Sequence, residues 1–148
     1  MEAVLLALQV ASLMYGVPYS VLYGIAKVES NLHPYAVNVE GRSYFPKSKE
    51  EALALVRGKK NYDLGLMQIN SFWIRKLALN PEWLLNIEYN AKLGAMILRY
   101  CTSLFGNTWK AIDCYHRGEA RAKSYSEYTA EVCSVLYGKR PRLKEVGR

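Results

Sequence analysis

The chain is cut by cap and stop residues into helix-length pieces, and that punctuation decides its fold class. Gly16-Val17-Pro18 ends one apolar segment and starts the next, since Gly suits the position past a helix and Pro its first turn. Asn31 with His33-Pro34 ends the second segment. Ser48-Lys49-Glu50-Glu51 reads as a capping box for a helix from Glu50 to about Arg57, stopped by Gly58. Asn70 or Ser71 caps a helix through Leu79, and Asn80-Pro81 opens another turn. A longer helix is predicted from Ile87 to Phe105, with Asn90, Gly94, Ile97, Leu98, Cys101, Leu104 and Phe105 on one stripe. Gly94 inside it costs about 1 kcal/mol against Ala, so a close backbone approach is expected there. Gly106-Asn107-Thr108 caps Trp109 to His116, and Ser126 caps a last helix to Tyr137. Segments 32–47 and 59–70 carry the breakers Pro34, Gly41, Pro46 and Gly65 and read as loops, the latter with a short extended piece. The expectation is one all-α domain over 1–138, or α with a minimal β element, followed by a basic, disordered tail over 139–148.

A chain of 148 residues, 51% of them hydrophobic, is long enough for one well-packed core. The apolar stretch Ala3–Met14 is too short to span a bilayer and has Glu2 rather than a basic region in front. It reads as a first core helix and as a poor signal peptide. The formal net charge of +7 favours acidic partners, while the absence of a basic run interleaved with aromatics speaks against a nucleic-acid module. Twelve tyrosines and three tryptophans suit packing and a sugar-lined cleft alike. Cys101, Cys114 and Cys133 lack Cys-x-x-Cys spacing, and His33 and His116 lie far apart, so no metal site is expected. One disulfide plus one thiol fits an exported protein; the pairing stays open, and three buried thiols is the other reading.

Glu29 is the conspicuous carboxylate. Leu22, Ile25 and Glu29 step by three and four along one stripe, so Glu29 continues a buried face in the last turn of its helix. Partial burial and the negative helix end both disfavour its ionised form, the condition a general acid requires. A lone Glu at a helix end is more often exposed or held by a basic side chain, so this position by itself argues catalysis weakly.

The ordered motifs strengthen it. Glu29-Ser30 ends a helix, Gly65-Leu66-Met67-Gln68-Ile69-Asn70 precedes a helix, and Ile112-Asp113-Cys114-Tyr115-His116 lies near a helix end. Together they resemble the lytic transglycosylases of the goose-lysozyme-like fold, whose pattern is Glu-Ser, then Gly-Leu-Met-Gln, then Ala-Tyr-Asn. Asn90-x-x-x-Gly94-Ala95, Gly106-Asn107-Thr108-Trp109 and Tyr128-x-x-x-Val132 extend the resemblance from about Tyr15 to Tyr137. Tyr62-Asp63-Leu64 before the glycine and the 39–60 insertion resemble the small single-domain branch that accompanies type III and type IV secretion, conjugation and pilus assembly. The chain departs in its third motif, with Cys114 for Ala and His116 for Asn.

The resemblance implies a lysozyme-like domain acting on peptidoglycan glycan strands at the β-1,4 bond between N-acetylmuramic acid (MurNAc) and N-acetylglucosamine (GlcNAc). It implies Glu29 as the sole acid/base and a 1,6-anhydro product formed without water. Met67 and Gln68 are expected to line the cleft, and Tyr115 to hydrogen-bond Glu29 or an acetamido group. His116 is expected to keep one of the hydrogen bonds of the amide it replaces. Ser30 and Asn90 are expected to be structural, Asn90 by bonding backbone near the Gly65 loop. No second carboxylate has a motif to place it, with Asp63 the nearest candidate. No cofactor and no metal are implied. A monomer in the periplasm or cell envelope is expected, with components of a secretion, conjugation or pilus machine as further partners, and the 39–60 insertion as one wall of the cleft. A water-using muramidase of the same fold, a wall-binding scaffold with an impaired site and a basic nucleic-acid binder are the competing readings.

Overall fold

The computed structural model describes residues 1–138; the expected basic tail over 139–148 lies outside the described residues. The punctuation places the helices closely. Helix α1 spans Glu2–Tyr15 and closes on Gly16 in the left-handed region (φ 65°). Helix α2 spans Tyr19–Ser30, entered through Pro18 and ended by a left-handed Asn31. Helix α3 is Lys49–Val56, where Ser48 Oγ accepts from the Glu51 amide and the Glu51 carboxylate accepts from the Lys47 amide. Helix α4 is Ser71–Lys76, shorter than expected because the chain leaves helical geometry at Leu77 and turns left-handed at Ala78. A 3-10 turn covers Pro81–Leu85, and α5 covers Ile87–Phe105 as predicted. Helix α6 is Trp109–Arg117, a second 3-10 turn covers Glu119–Arg121, and α7 is Glu127–Tyr137.

Helix α5 is the central element. It packs against α1 on one side and α6 on the other, while α2 packs against α7. Leu8 from α1, Leu22 and Ile25 from α2, Leu64 and Leu66 from the glycine loop, and Leu98 from α5 are buried in one cluster. Each such side chain taken from water contributes about 1.5–3 kcal/mol toward closing that core. Cys101 of α5 and Cys114 of α6 form a disulfide, which fixes the pairing that the sequence left open. Cys133 is buried in α7. No helix of the described residues is long and apolar enough to cross a membrane.

The loops hold more strand than expected. Strands β1 (Val37–Val39), β2 (Arg42–Tyr44), β3 (Tyr62–Leu64) and β4 (Ile69–Asn70) form an antiparallel sheet in the order β2-β1-β3-β4. None exceeds three residues, too short for alternation to register, and the β1–β3 pairing crosses the whole of α3. The domain is mostly helical with this minimal sheet, and the sheet carries Asp63 toward Glu29.

Candidate active site

The loop between β3 and β4 is the floor of the site, and it is locked from several sides. Asn90 is buried in α5; its Oδ1 accepts from the Met67 amide at 2.7 Å, and its Nδ2 donates to Leu64 O at 2.9 Å and Leu84 O at 2.7 Å. Ser30 Oγ, at the end of α2, donates toward Leu66 O (2.6 Å) and Ala26 O (3.1 Å). Tyr115 of α6 donates its hydroxyl to Met67 O at 2.6 Å. The Gln68 amide donates to Ala36 O at 2.9 Å and Gly65 O at 3.0 Å, fixing its own left-handed backbone (φ 51°). Buried backbone groups demand partners, and here three helices supply them. Gly65 sits at φ 81°, where a Cβ would run into Asn90 Nδ2 and lie 2.6 Å from Leu84 O.

These contacts correct several expectations. Met67 does not line a cleft: it is 0% exposed, with its side chain lying against Gly94. A Cβ on Gly94 would come within 2.8 Å of three Met67 side-chain atoms, so the glycine admits a side chain and not a second backbone. Gln68 spends both amide hydrogens on the backbone, and the Tyr115 hydroxyl proton goes to Met67 O rather than to Glu29. The Asn90 and Ser30 placements match what their motifs suggested.

Glu29 occupies the last turn of α2 with its side chain 14% exposed. Groups from three other elements surround it. His116 of α6 places Nδ1 3.6 Å from Glu29 Oε2, and its imidazole stacks on the Tyr128 ring of α7 at 4.2 Å and 6°. The Tyr128 hydroxyl is buried with no hydrogen-bond partner among the described residues; burial, first, and then the Glu29 charge push it well above the ordinary tyrosine range. Tyr115 is raised likewise by burial and then by the Glu29 and Asp63 charges. Asp63 of β3 accepts from Asn70 Nδ2 at 2.9 Å. Burial raises its carboxyl pKa and the Glu29 charge adds to that, whereas Asn70 and His116 act to lower it. The His116 imidazolium is favoured by its interaction with Glu29, against the opposing effect of burial.

Tyr128 and Asp113 carry roles that the sequence did not reveal. Asp113 is fully buried and accepts from Ser126 Oγ at 2.5 Å, the Lys123 amide at 2.7 Å and Arg117 Nε at 3.2 Å. It ties α6 to the start of α7 and so sets Tyr128 beneath His116. A carboxylate among the buried residues Ala111, Ile112 and Cys114 was the available signal. For Tyr128 the signal was its place in the Tyr128-x-x-x-Val132 resemblance, since an inward tyrosine on an amphipathic helix is by itself ordinary core. The 39–60 insertion supplies β2 and α3 and reaches the site through the sheet: Asn38 in β1 stands opposite Asp63 in β3. Its own open concavity, about 470 Å³ and lined by Tyr44, Phe45, Pro46 and Leu55, contains none of the residues around Glu29.

A partly buried carboxylate at a helix end, with tyrosine hydroxyls, an imidazole and a second carboxyl around it, can give and take protons beside a bound sugar. The chain is similar to protein IpgF of Shigella sonnei, 31% identical over 117 residues that cover 74% of this chain and 63% of the relative. It is 29% identical to invasion protein IagB of Salmonella typhimurium over 120 residues, 77% of this chain and 63% of that protein. The chain thus spans less than two thirds of the length of these relatives. No solved structure gives a significant match. The model of the transglycosylase SLT domain matches residues 7–133, which take in Glu29, the glycine loop, His116 and Tyr128. The chain belongs to the transglycosylase SLT domain family.

Proposed function

We propose that this protein cleaves the β-1,4 bond between MurNAc and GlcNAc in peptidoglycan without water, leaving 1,6-anhydro-MurNAc ends, with Glu29 as acid and then base. The observation that carries the reading is the seat of Glu29: 14% exposed, at the end of α2, facing proton-bearing side chains from α6 and α7. As an acid, Glu29 protonates the bridging oxygen and the glycosidic bond breaks. As a base, it takes the proton of the MurNAc 6-hydroxyl, whose oxygen closes on C1. The acetamido group of the substrate holds the anomeric centre between these steps, the substrate-assisted alternative to a second carboxylate. Gln68, Met67 and Tyr115 act by holding the loop under the substrate, and His116, 45% exposed, remains accessible to the sugar.

The net charge of +7 suits a substrate bearing lactyl and peptide carboxylates. The Cys101–Cys114 disulfide suits an oxidising envelope compartment. The similarity to a protein named for invasion supports a role in opening the wall locally for a secretion, conjugation or pilus apparatus.

Mass spectrometry of digested sacculi tests the chemistry. Wild type should release products one water lighter than hydrolysed muropeptides. Glu29→Gln should lower the rate by about 10²–10⁴-fold. Equal clearance by the variant would sink Glu29 as the acid, and binding without clearance by either protein would favour a scaffold. One observation favours a second reading, a hydrolytic muramidase: Asp63 faces the site, giving two carboxyl groups. Burial favours its neutral form, which works against a nucleophile. Reducing-end products that vanish in Asp63→Asn would establish that reading instead.

A further inference from the structure

His116 stands where the family pattern has an asparagine, and the structure gives it a partner that an amide would not titrate with. Its ring is clamped flat on Tyr128, so Nδ1 is presented to Glu29 Oε2 at 3.6 Å. That stack is held in turn by Asp113, which joins α6 to the Ser126 cap of α7. We propose that His116 is a positioning residue for Glu29, and that the two side chains share one proton and act as a single acid/base unit. The proposal rests on the reading of Glu29 as the acid/base.

The groups facing the imidazole are Glu29 from α2, the Tyr128 ring and hydroxyl from α7, Asp63 from β3, and Asp113 and Arg117 on its own helix. Glu29 and Asp113 favour the imidazolium, while burial and Arg117 oppose it, and the net effect lies above the ordinary histidine range. The shared proton therefore has two homes. In one, an imidazolium faces a carboxylate; in the other, a neutral imidazole faces a carboxylic acid. Cleavage takes the acid's proton to the bridging oxygen as the C1–O bond breaks. Formation of the C1–O6 bond returns the 6-hydroxyl proton to Glu29. The pair begins and ends the cycle with one proton and holds none in between, when a neutral imidazole faces the Glu29 carboxylate across 3.6 Å.

Because Glu29 favours the imidazolium, the pair keeps its proton to higher pH than an unpaired imidazole would. Activity should fall on the alkaline side as the pair loses that proton. In His116→Asn, the family's own residue, the histidine step of the pair is gone, so the alkaline limb of sacculus turnover should move down by about 1 pH unit or more. Activity at the acid end should persist.

The decisive measurement needs no turnover. In an NMR titration of the full chain, the His116 imidazole midpoint should drop by about 1 pH unit or more in Glu29→Gln. The reciprocal titration of the labelled Glu29 carboxyl in His116→Asn answers the same question through a second variant, because coupled groups must perturb each other. A His116 midpoint indifferent to Glu29, or a His116→Asn profile superimposed on wild type, overturns the proposal. A wild type inactive on sacculi at every pH overturns the enzymatic reading instead, and the titrations still decide whether the pair exists.

Discussion

The loop over 65–68 and the face formed by α6 and α7 both border Glu29, and they are built on opposite principles. In the loop, the polar groups described are matched to partners: Asn90, Ser30, Tyr115 and Gln68 spend their hydrogen bonds on backbone carbonyls and one amide. On the α6–α7 face, His116 stands 3.6 Å from Glu29 and the Tyr128 hydroxyl is buried with no hydrogen-bond partner among the described residues. The most recognisable motif is thus the scaffold, and the proton-bearing groups sit on less distinctive segments. A group that is fully satisfied stabilises a shape; one left unsatisfied beside a carboxylate can respond when that carboxylate gains or loses its proton.

Three substitutions would break or sharpen that contrast. The largest effect is expected for Asn90→Ala, which strips partners from the buried Met67 amide and from the Leu64 and Leu84 carbonyls. We predict a loss of about 3–5 kcal/mol in denaturant unfolding, since each orphaned buried group costs about 1–3 kcal/mol. A loss below the cost of one such group would show that the loop does not depend on this side chain. Gly94→Ala should come next, at about 1–3 kcal/mol, because the new methyl meets the Met67 side chain inside a packed core. Its catalytic rate below the unfolding transition should stay close to wild type, since Met67 does not face the substrate. A large rate defect without unfolding would return Met67 to the cleft.

Tyr128→Phe is the smallest and most discriminating change. Removing a hydroxyl that has no complete bond should leave stability unchanged or slightly raised. Turnover should nevertheless fall about tenfold, the scale of one hydrogen bond to a charged group, because the hydroxyl bonds the Glu29 carboxylate only after the acid proton has left. Melting temperature and turnover measured on the same sample separate the two effects. Destabilisation with normal turnover would make Tyr128 part of the scaffold and erase the difference between the two regions.

Much of this molecule was legible in its sequence because the relevant physics is local. Gly16, Pro18, Asn31, Gly106, Thr108 and Ser126 fix helix ends through backbone geometry and side-chain caps, so α2, α5 and α7 fell where the residues put them. The stripe of Leu22, Ile25 and Glu29 is helical periodicity, and it located the key carboxylate. What the sequence left out depends on partners distant along the chain. The sheet needs β1 to find β3 across α3, and the Cys101–Cys114 bond needs α5 beside α6. Met67 turned inward because Gly94 of α5 leaves space for it, and His116 acquired a stacked tyrosine and a carboxylate because Asp113 ties α6 to α7. Composition and local signals determined a helical, basic domain with one carboxylate near a helix end. Only the tertiary structure decided which side chains surround that carboxylate, because burial, hydrogen bonding and charge coupling are properties of neighbours in space.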